Sequence, residues 1–312
     1  MDALDIRLLR TMGIQPFVYG ARGPDALKPS RIAQGLDVSV KTVKARLQRL
    51  EDEGVVAGYQ IYPNLRHLGV QWRSYFFRVP SEKKEGLNPA LEAVEGLVHI
   101  FDFFGPDLCC DLYYRDQPEL ERRLRLVLEL LGAPRALDWY DNRMPRVTRS
   151  LSPLDWRIVK ALRMRARIPL ADLSGEIGVT DRTIRRRIGQ MVNHGGIDVV
   201  PIIDPTLMKD TVPAAFLFRL DDDRAQAVIR EIERIFDAAY LSAWVPPSPE
   251  TGHFITLLVA RRMADLDEMR RRAGDVRGVE SVEAFIPADV WHNEDWIDEA
   301  IDRKARETAS VP

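Results

Sequence analysis

The chain has 312 residues, 46% of them hydrophobic and 29% charged, with 45 basic side chains against 47 acidic ones. This is soluble globular composition with room for two to four small domains. The net charge of −2 gives no global electrostatic case for nucleic acid, so such binding needs a local basic face. No apolar run approaches the roughly 18 residues of a spanning helix, and Asp5 and Arg7 interrupt the first apolar positions; a cytoplasmic protein with no membrane partner is expected.

In chain order, Leu4–Met12 carries apolar residues at 4, 8 and 9, one helical face. The stretch Gly13–Lys28 holds Gly13, Pro16, Gly20, Gly23 and Pro24 and reads as a loop or short wing. A short helix at Ser30–Leu36 follows, then a turn at Asp37-Val38 and a third helix capped by Ser39. Val43, Leu47 and Leu50 form the buried stripe of that helix, Gly54 ends it, and Val55–Tyr62 reads as wing strands. The order is then a strand at Arg73–Val79, a helix near Pro89–Glu95, strands at Val98–Phe104 and Leu108–Tyr114, a helix at Pro118–Leu131 and a strand at Ala136–Asn142. Cys109 and Cys110 are neighbours in a strand, so they point to opposite faces and form neither a disulfide nor a metal site.

After an aperiodic link at Arg143–Ser150 the whole plan repeats. Val38–Val56 reappears as Val179–Ile197 at a constant offset of 141 positions, matching Thr42 with Thr183, Arg46 with Arg187 and Gly54 with Gly195. Leu154–Leu162 follows the N-cap Ser152 and the first-turn Pro153 and stands for the first helix, without the nine extra residues of the first copy. Leu170–Ile177 is the second helix; Ile184, Ile188 and Met191 form the stripe of the third; Ile197–Ile203 is the extended stretch beyond it. Strands are expected at Ala214–Leu220, Ala239–Trp244, Phe254–Ala260 and Val279–Ile286, and helices at Arg224–Phe236 and Met263–Ala273. A short acidic helix, Trp291–Lys304, closes the chain.

The fold class read from this order is α+β: two winged helix-turn-helix domains alternating with two ferredoxin-like βαββαβ sandwiches. The expected domains are residues 1–64, 65–146, 151–205 and 206–290, followed by the acidic tail 291–312.

Leu4-Asp5, Thr42-Val43, Arg46, Arg49-Leu50-Glu51 and Gly54-Val55-Val56, echoed by Leu154-Asp155, Thr183-Ile184, Arg187 and Gly195, resemble the Lrp/AsnC family of prokaryotic transcription regulators along essentially the whole chain. The resemblance is to two such units fused into a covalent pseudo-dimer. It implies double-stranded DNA as a partner, a small-molecule effector such as an amino acid, and even-numbered homo-oligomers, here a dimer of pseudo-dimers. It also implies an effector site near the turn between the second and third sandwich strands, where this chain has Gly105 and Asp107 followed by Asp111. Gly-Pro-Asp is equally ordinary turn chemistry. The second half has the longer, proline-rich Pro246–His253 instead, so any ligand is expected mainly in the first half.

Between Arg157 and Arg187 nine basic residues stand against three acidic. The residues expected at DNA are Ser39, Lys41, Thr42, Lys44, Arg46 and Arg49 in the first copy, and Thr180, Arg182, Thr183, Arg185, Arg186 and Arg187 in the second. Arg185, Arg186 and Arg187 are consecutive and fan around the helix, so Arg187, like Arg46, braces the motif or a phosphate. The bland alternative is that these charges only keep a helix face soluble. The aromatic set around Trp72, Phe76, Phe101 and Tyr140 reads as core, and the five histidines are scattered without metal spacing. No P-loop, dinucleotide fingerprint or nucleophile elbow occurs, so no cofactor is expected.

The siroheme decarboxylases share the winged-helix plus sandwich plan but carry an Arg-Arg-x-Gly-type stretch after the recognition helix. This chain has Val55-Val56-Ala57-Gly58-Tyr59 there. The sequence is therefore read as a regulator and not an enzyme, with a siroheme-decarboxylase-like enzyme or a sensing and scaffolding module as the alternatives.

Overall fold

The computed structural model of the chain describes all residues except 19, 133, 134, 143, 222, 223, 249–251 and 308–312, and no side chain at 88, 243–248 or 307. Asp222, Asp223 and the centre of the proline-rich turn, Pro249–Thr251, thus lie outside the described residues. Two compact units are present: Leu8–Gly69, Met144–Asp204 and Glu294–Pro312 form one, and Met1–Arg7, Val70–Arg143 and Pro205–Asn293 the other. Both helix-turn-helix segments fall in the first unit and both sandwiches in the second.

The helical unit follows its caps and stripes closely. Helices α2 (Pro29–Leu36) and α3 (Val40–Asp52) correspond to α8 (Leu170–Ile177) and α9 (Asp181–Asn193), with α7 (Pro153–Leu162) as first helix of the second copy. Ser152 and Asp155 form a capping box on α7: Ser152 Oγ accepts from the Asp155 amide at 3.3 Å and the Asp155 carboxylate from the Ser152 amide at 2.8 Å. Val43, Leu47 and Leu50, and Ile184, Ile188 and Met191, are buried, each side chain stabilising by about 1.5–3 kcal/mol. Gly54 (φ +77°) and Gly195 (φ +68°) turn the chain out of α3 and α9 in the left-handed region. Within Gly13–Lys28 the chain makes a 3₁₀ turn at Pro24–Leu27, and buried Asp198 accepts from the amides of Phe17 (2.7 Å) and Arg22 (2.8 Å) and pairs with the Arg22 guanidinium at 3.0 Å.

The wing is a correction. Each copy contributes one strand, β1 (Val56–Pro63) and β6 (Ile197–Ile203), and the two pair with one another, antiparallel, from Val56 opposite Ile203 to Pro63 opposite Ile197. A lone strand leaves its ladder groups unpaired, and the second copy supplies the partner. Buried Asn64 links the copies further, donating from Nδ2 to the carbonyls of Gly195 (2.8 Å) and Pro145 (3.0 Å). The C-terminal helix α12 (Asp295–Glu307) packs on α7 through buried Ile297, Ala300 and Ile301. Buried Arg163 at the end of α7 holds Asp298 at 2.8 Å and also pairs with Glu294.

In the other unit, β2 (Gln71–Arg78), β3 (Leu97–Phe103), β4 (Asp107–Tyr114) and β5 (Asp138–Asp141) take the order β5-β2-β4-β3, covered by α5 (Leu87–Glu92) and α6 (Gln117–Leu131). The second copy repeats it with β7 (Val212–Leu220), β8 (Tyr240–Ser248), β9 (His253–Ala260) and β10 (Val279–Phe285) in the order β10-β7-β9-β8, with α10 (Ala225–Ile235) and α11 (Met263–Gly274). Both are ferredoxin-like sheets. β8 runs through Pro246 and Pro247, further than expected, because it is an edge strand where a missing N–H is tolerated.

The expected helix at Trp291–Lys304 begins late. Pro287–His292 is instead a strand, β11, which leaves the second sheet and adds to β3 of the first, making it five-stranded. The sheets meet face to face: Phe76, Phe101, Phe103, Cys109 and Tyr140 of the first pack on Ala215, Leu217, Ile255 and Phe285 of the second. Cys110 lies in the other core, beneath the helices of the first sheet, so the two thiols do point to opposite faces.

Candidate functional site

Side chains alternate along a strand, so the first-sheet residues sharing parity with Phe76, Cys109 and Phe101 also face the second sheet. Among them is a polar row. Register places Tyr140 opposite Ser74, Ser74 opposite Asp111, Asp111 opposite His99 and His99 opposite His292, so that one line of residues crosses all five strands. Side-chain hydrogen bonds run along it from Asn142 to His99. Asn142 Nδ2 donates to Ser74 Oγ at 2.8 Å, the Ser74 hydroxyl donates to Asp111 Oδ1, and Asp111 Oδ2 lies 2.9 Å from His99 Nδ1. The His99 and His292 rings meet edge to face with centroids 5.0 Å apart.

Ser74, Asp111 and His99 are buried, whereas His292 is exposed. The row therefore runs from the interior to solvent. Trp72 (5.6 Å between centroids) and Phe101 (6.0 Å) flank the His99 ring, and the buried Trp72 indole N–H has no hydrogen-bond partner among the described residues. Burial first, and then the neighbouring Cys109 and Asp111, push the Tyr140 phenol well up from its ordinary range; burial and the Asp111 charge do the same to the Cys109 thiol. Both stay protonated at neutral pH and serve as neutral neighbours to the carboxylate.

A carboxylate on Nδ1 orients an imidazole and leaves Nε2 as the nitrogen that takes up or gives a proton. A buried histidine so held is a proton-handling group, and adjoining His292 gives it a route to water. At the matching register of the second sheet the row is not repeated: Ala215 and Leu257 stand opposite one another where Ser74 and Asp111 do, with Ser242 opposite Leu257 where His99 would be. The buried histidine of that sheet, His253, instead holds Asp138 of the first at 2.9 Å through Nε2.

The sequence expectations fall differently. Gly105 (φ +88°) lies at the β3–β4 turn with open space around it. Asp107 there is engaged by Arg78 at 3.0 Å, and the turn is pinned by Lys84 Nζ on the carbonyls of Phe103 (2.8 Å) and Asp107 (2.6 Å). Asp111, four residues along β4, is roughly 13 Å further on and faces the inter-sheet interior. Asp107 and Asp111 share a face of β4, but their separation along the strand keeps the three from converging on one site. His99, Ser74, Asn142 and His292 were not singled out from sequence. His99 and Asp111 lie in one β-hairpin, a signal that was there to read, but the arrival of His292 depends on β11 crossing between sheets.

On the helix faces, Ser39 Oγ accepts from the Thr42 amide at 3.0 Å and Thr180 Oγ1 from the Thr183 amide at 3.3 Å. Ser39 and Thr180 thus cap their helices, with Thr42 and Thr183 as the residues whose amides they satisfy. Lys41, Lys44 and Arg49 are exposed and Arg46 half-buried in α3; Arg182, Arg185 and Arg186 are exposed in α9. Arg187 turns inward, with Nη1 3.2 Å from Ser152 Oγ and 3.6 Å from Asp155, bracing α9 on α7. Among the described residues no helix is long and apolar enough to cross a membrane.

Residues 151–192 match the AsnC-type helix-turn-helix domain. Compared with curated protein sequences the chain has no match. Among solved structures it is similar to the siroheme decarboxylase NirDL, at 12% identity and a TM-score of 0.55, over 98% of this chain and 99% of that one. The same enzyme in complex with an iron-uroporphyrin III analogue gives 14% and 0.56 over the same shares. E. coli AsnC, at 18% identity and a TM-score of 0.35, corresponds to 45% of this chain and 94% of its own. The α+β order of helix-turn-helix and ferredoxin-like domains is thus a known whole-chain architecture. The expectation that the chain is not an enzyme is corrected by the same finding, because two solved structures that share that architecture from end to end are of an enzyme.

Proposed function

We propose that the chain is an enzyme of siroheme-decarboxylase type, removing carboxylate as CO₂ from a tetrapyrrole substrate, with His99 as the proton-handling residue. The observation that carries this reading is the row His292–His99–Asp111–Ser74, a buried histidine with a carboxylate on Nδ1 and a second histidine leading to solvent. In a decarboxylation the C–C bond breaks, the electron pair stays on carbon and a proton must reach that carbon as CO₂ leaves. His99 Nε2 supplies the proton, Asp111 holds the ring and stabilises its charged form, and His292 relays the replacement from water. The whole-chain likeness to a structure holding an iron-uroporphyrin III analogue supports a tetrapyrrole as the substrate class. The departure at Val55–Tyr59 lies in the helical unit and leaves every member of this row in place.

The test is incubation of the protein with siroheme under reducing conditions, followed by absorbance and mass spectrometry of the product. The expected outcome is binding with loss of CO₂, falling about 100-fold or more in turnover for His99→Gln. Absence of both a spectral change and product retires the reading.

A second reading is favoured by a separate observation, the exposed Arg182, Arg185 and Arg186 on the capped helix α9 within the AsnC-type segment. In it the helical unit binds double-stranded DNA, chiefly through phosphate contacts.

A further inference from the structure

A cleft of about 300 Å³ lies in the second sandwich, away from the histidine row, where the end of α10 and the start of β8 approach α11 and the N-terminal residues. Its depth is apolar: Ile6, Phe236, Val259 and Met269 are all buried there. Two guanidiniums stand on its rim. Arg261 and Arg272 are exposed, and among the described residues neither makes an ion pair or hydrogen bond; Arg272 lies over the Phe236 ring at 5.3 Å. Their neighbours along α11 behave otherwise, Arg262 holding Asp265 at 2.7 Å and Arg270 holding Asp267 at 3.1 Å. The two carboxylates on the cleft wall are also engaged, Asp265 by Arg262 and Asp2 by the amides of Leu4 and Asp5 at 2.9 and 3.0 Å.

The cleft thus combines an apolar floor with two guanidiniums on one side that, among the described residues, hold no carboxylate in an ion pair, although the Arg261 charge is felt by Asp265. Its volume is at the lower end of small-molecule sites, ~300–1,000 Å³. Guanidiniums present fork geometry to a carboxylate, while Thr211 on the cleft lining already donates its hydroxyl to the Met208 carbonyl at 2.9 Å. We propose that this cleft is a binding site for a small organic acid, its carboxylate on Arg261 and Arg272 and its short alkyl body against Phe236, Val259 and Met269. Inorganic anions lack the body and neutral alcohols lack the charge, so both bind weakly.

The test is calorimetric titration of the full chain with hexanoate, 1-hexanol and inorganic phosphate. Hexanoate is expected to bind one site per chain, with the other two at least tenfold weaker. The double variant Arg261→Gln, Arg272→Gln is expected to weaken hexanoate at least tenfold, and Ala238→Trp, at the exposed mouth, to abolish it, both with unchanged thermal midpoints. On the unaltered protein, hexanoate is expected to shift the Met269 methyl resonance, which reads the site even if a variant fails to fold. No hexanoate binding by ~10 mM, phosphate binding as tightly, affinity unaltered in both variants, or no shift at Met269 overturns the proposal.

Discussion

Asp111 Oδ2 lies 2.9 Å from His99 Nδ1 across the β3–β4 ladder, and the two are direct register partners. The second Asp111 oxygen takes the Ser74 hydroxyl, so one buried carboxylate fixes both neighbours. Asp111→Asn offers one acceptor and one N–H₂ group in place of two acceptors, and Ser74 and His99 cannot both keep their bonds. Turnover of a carboxylated tetrapyrrole is expected to fall about 100-fold, with a stability loss of about 1–3 kcal/mol measured by denaturant titration. Wild-type turnover in this variant would remove Asp111 from the proton path.

The arginines of α9 separate by direction. Arg182→Ala and Arg185→Ala are each expected to reduce the salt slope of DNA binding by about 1 and to leave the melting temperature unchanged, since both are exposed. Arg187→Gln is expected to do the reverse, lowering stability by about 1 kcal/mol through its contacts with Ser152 and Asp155. Binding measured at several salt concentrations beside thermal melts decides between the roles.

Acid stability of the sandwich unit depends on Glu119. Hydrogen bonds from Arg115 come first among the causes that hold its carboxyl at about 2, below the usual 4.5, and Arg123 at 2.8 Å adds to them. A depressed carboxylate stabilises the fold above its unfolded value and loses that contribution as pH falls from about 4.5 towards 2. Arg115 is largely exposed, which screens the pair, so the contribution is about 1–2 kcal/mol. Glu119→Gln is expected to lower stability at pH 7 by that amount and to flatten the acid limb between pH 4.5 and 2, read by urea midpoints across pH.

The join between the copies predicts two structural variants. Asn64→Leu removes the bonds to Gly195 and Pro145 within a buried site and is expected to cost about 2–4 kcal/mol. Gly195→Ala forces a side chain into the left-handed region with its Cβ 3.0 Å from the Arg146 carbonyl oxygen, costing about 1–2 kcal/mol. Gly105→Ala, equally left-handed but in open space, is expected to cost about 1 kcal/mol. Equal melting temperatures for the two alanine variants would show that the Arg146 contact does not matter.

What could be read from the residues was what neighbours in sequence decide. The stripe Ile184, Ile188 and Met191 has helical period, Ser152 and Thr180 cap the turns that follow them, and βαββαβ appears twice in local alternation. Each of these depends on interactions within a few residues, which the chain states directly. The edge strand Pro287–His292 has no such pattern: it is short, opens on proline and adjoins a helix, so its first four residues read as a link and Trp291 and His292 as the start of that helix.

The sequence alone therefore determined most of the helices and strands and the α+β order of helix-turn-helix and ferredoxin-like segments. Only the tertiary structure decided that β1 pairs with β6, that β11 completes the first sheet, and that His292 arrives beside His99 on Asp111. Strand pairing is satisfied by any unpaired edge of the right geometry, however distant in the chain. His99 and Asp111 meet within one hairpin, but His292 joins them only through that choice.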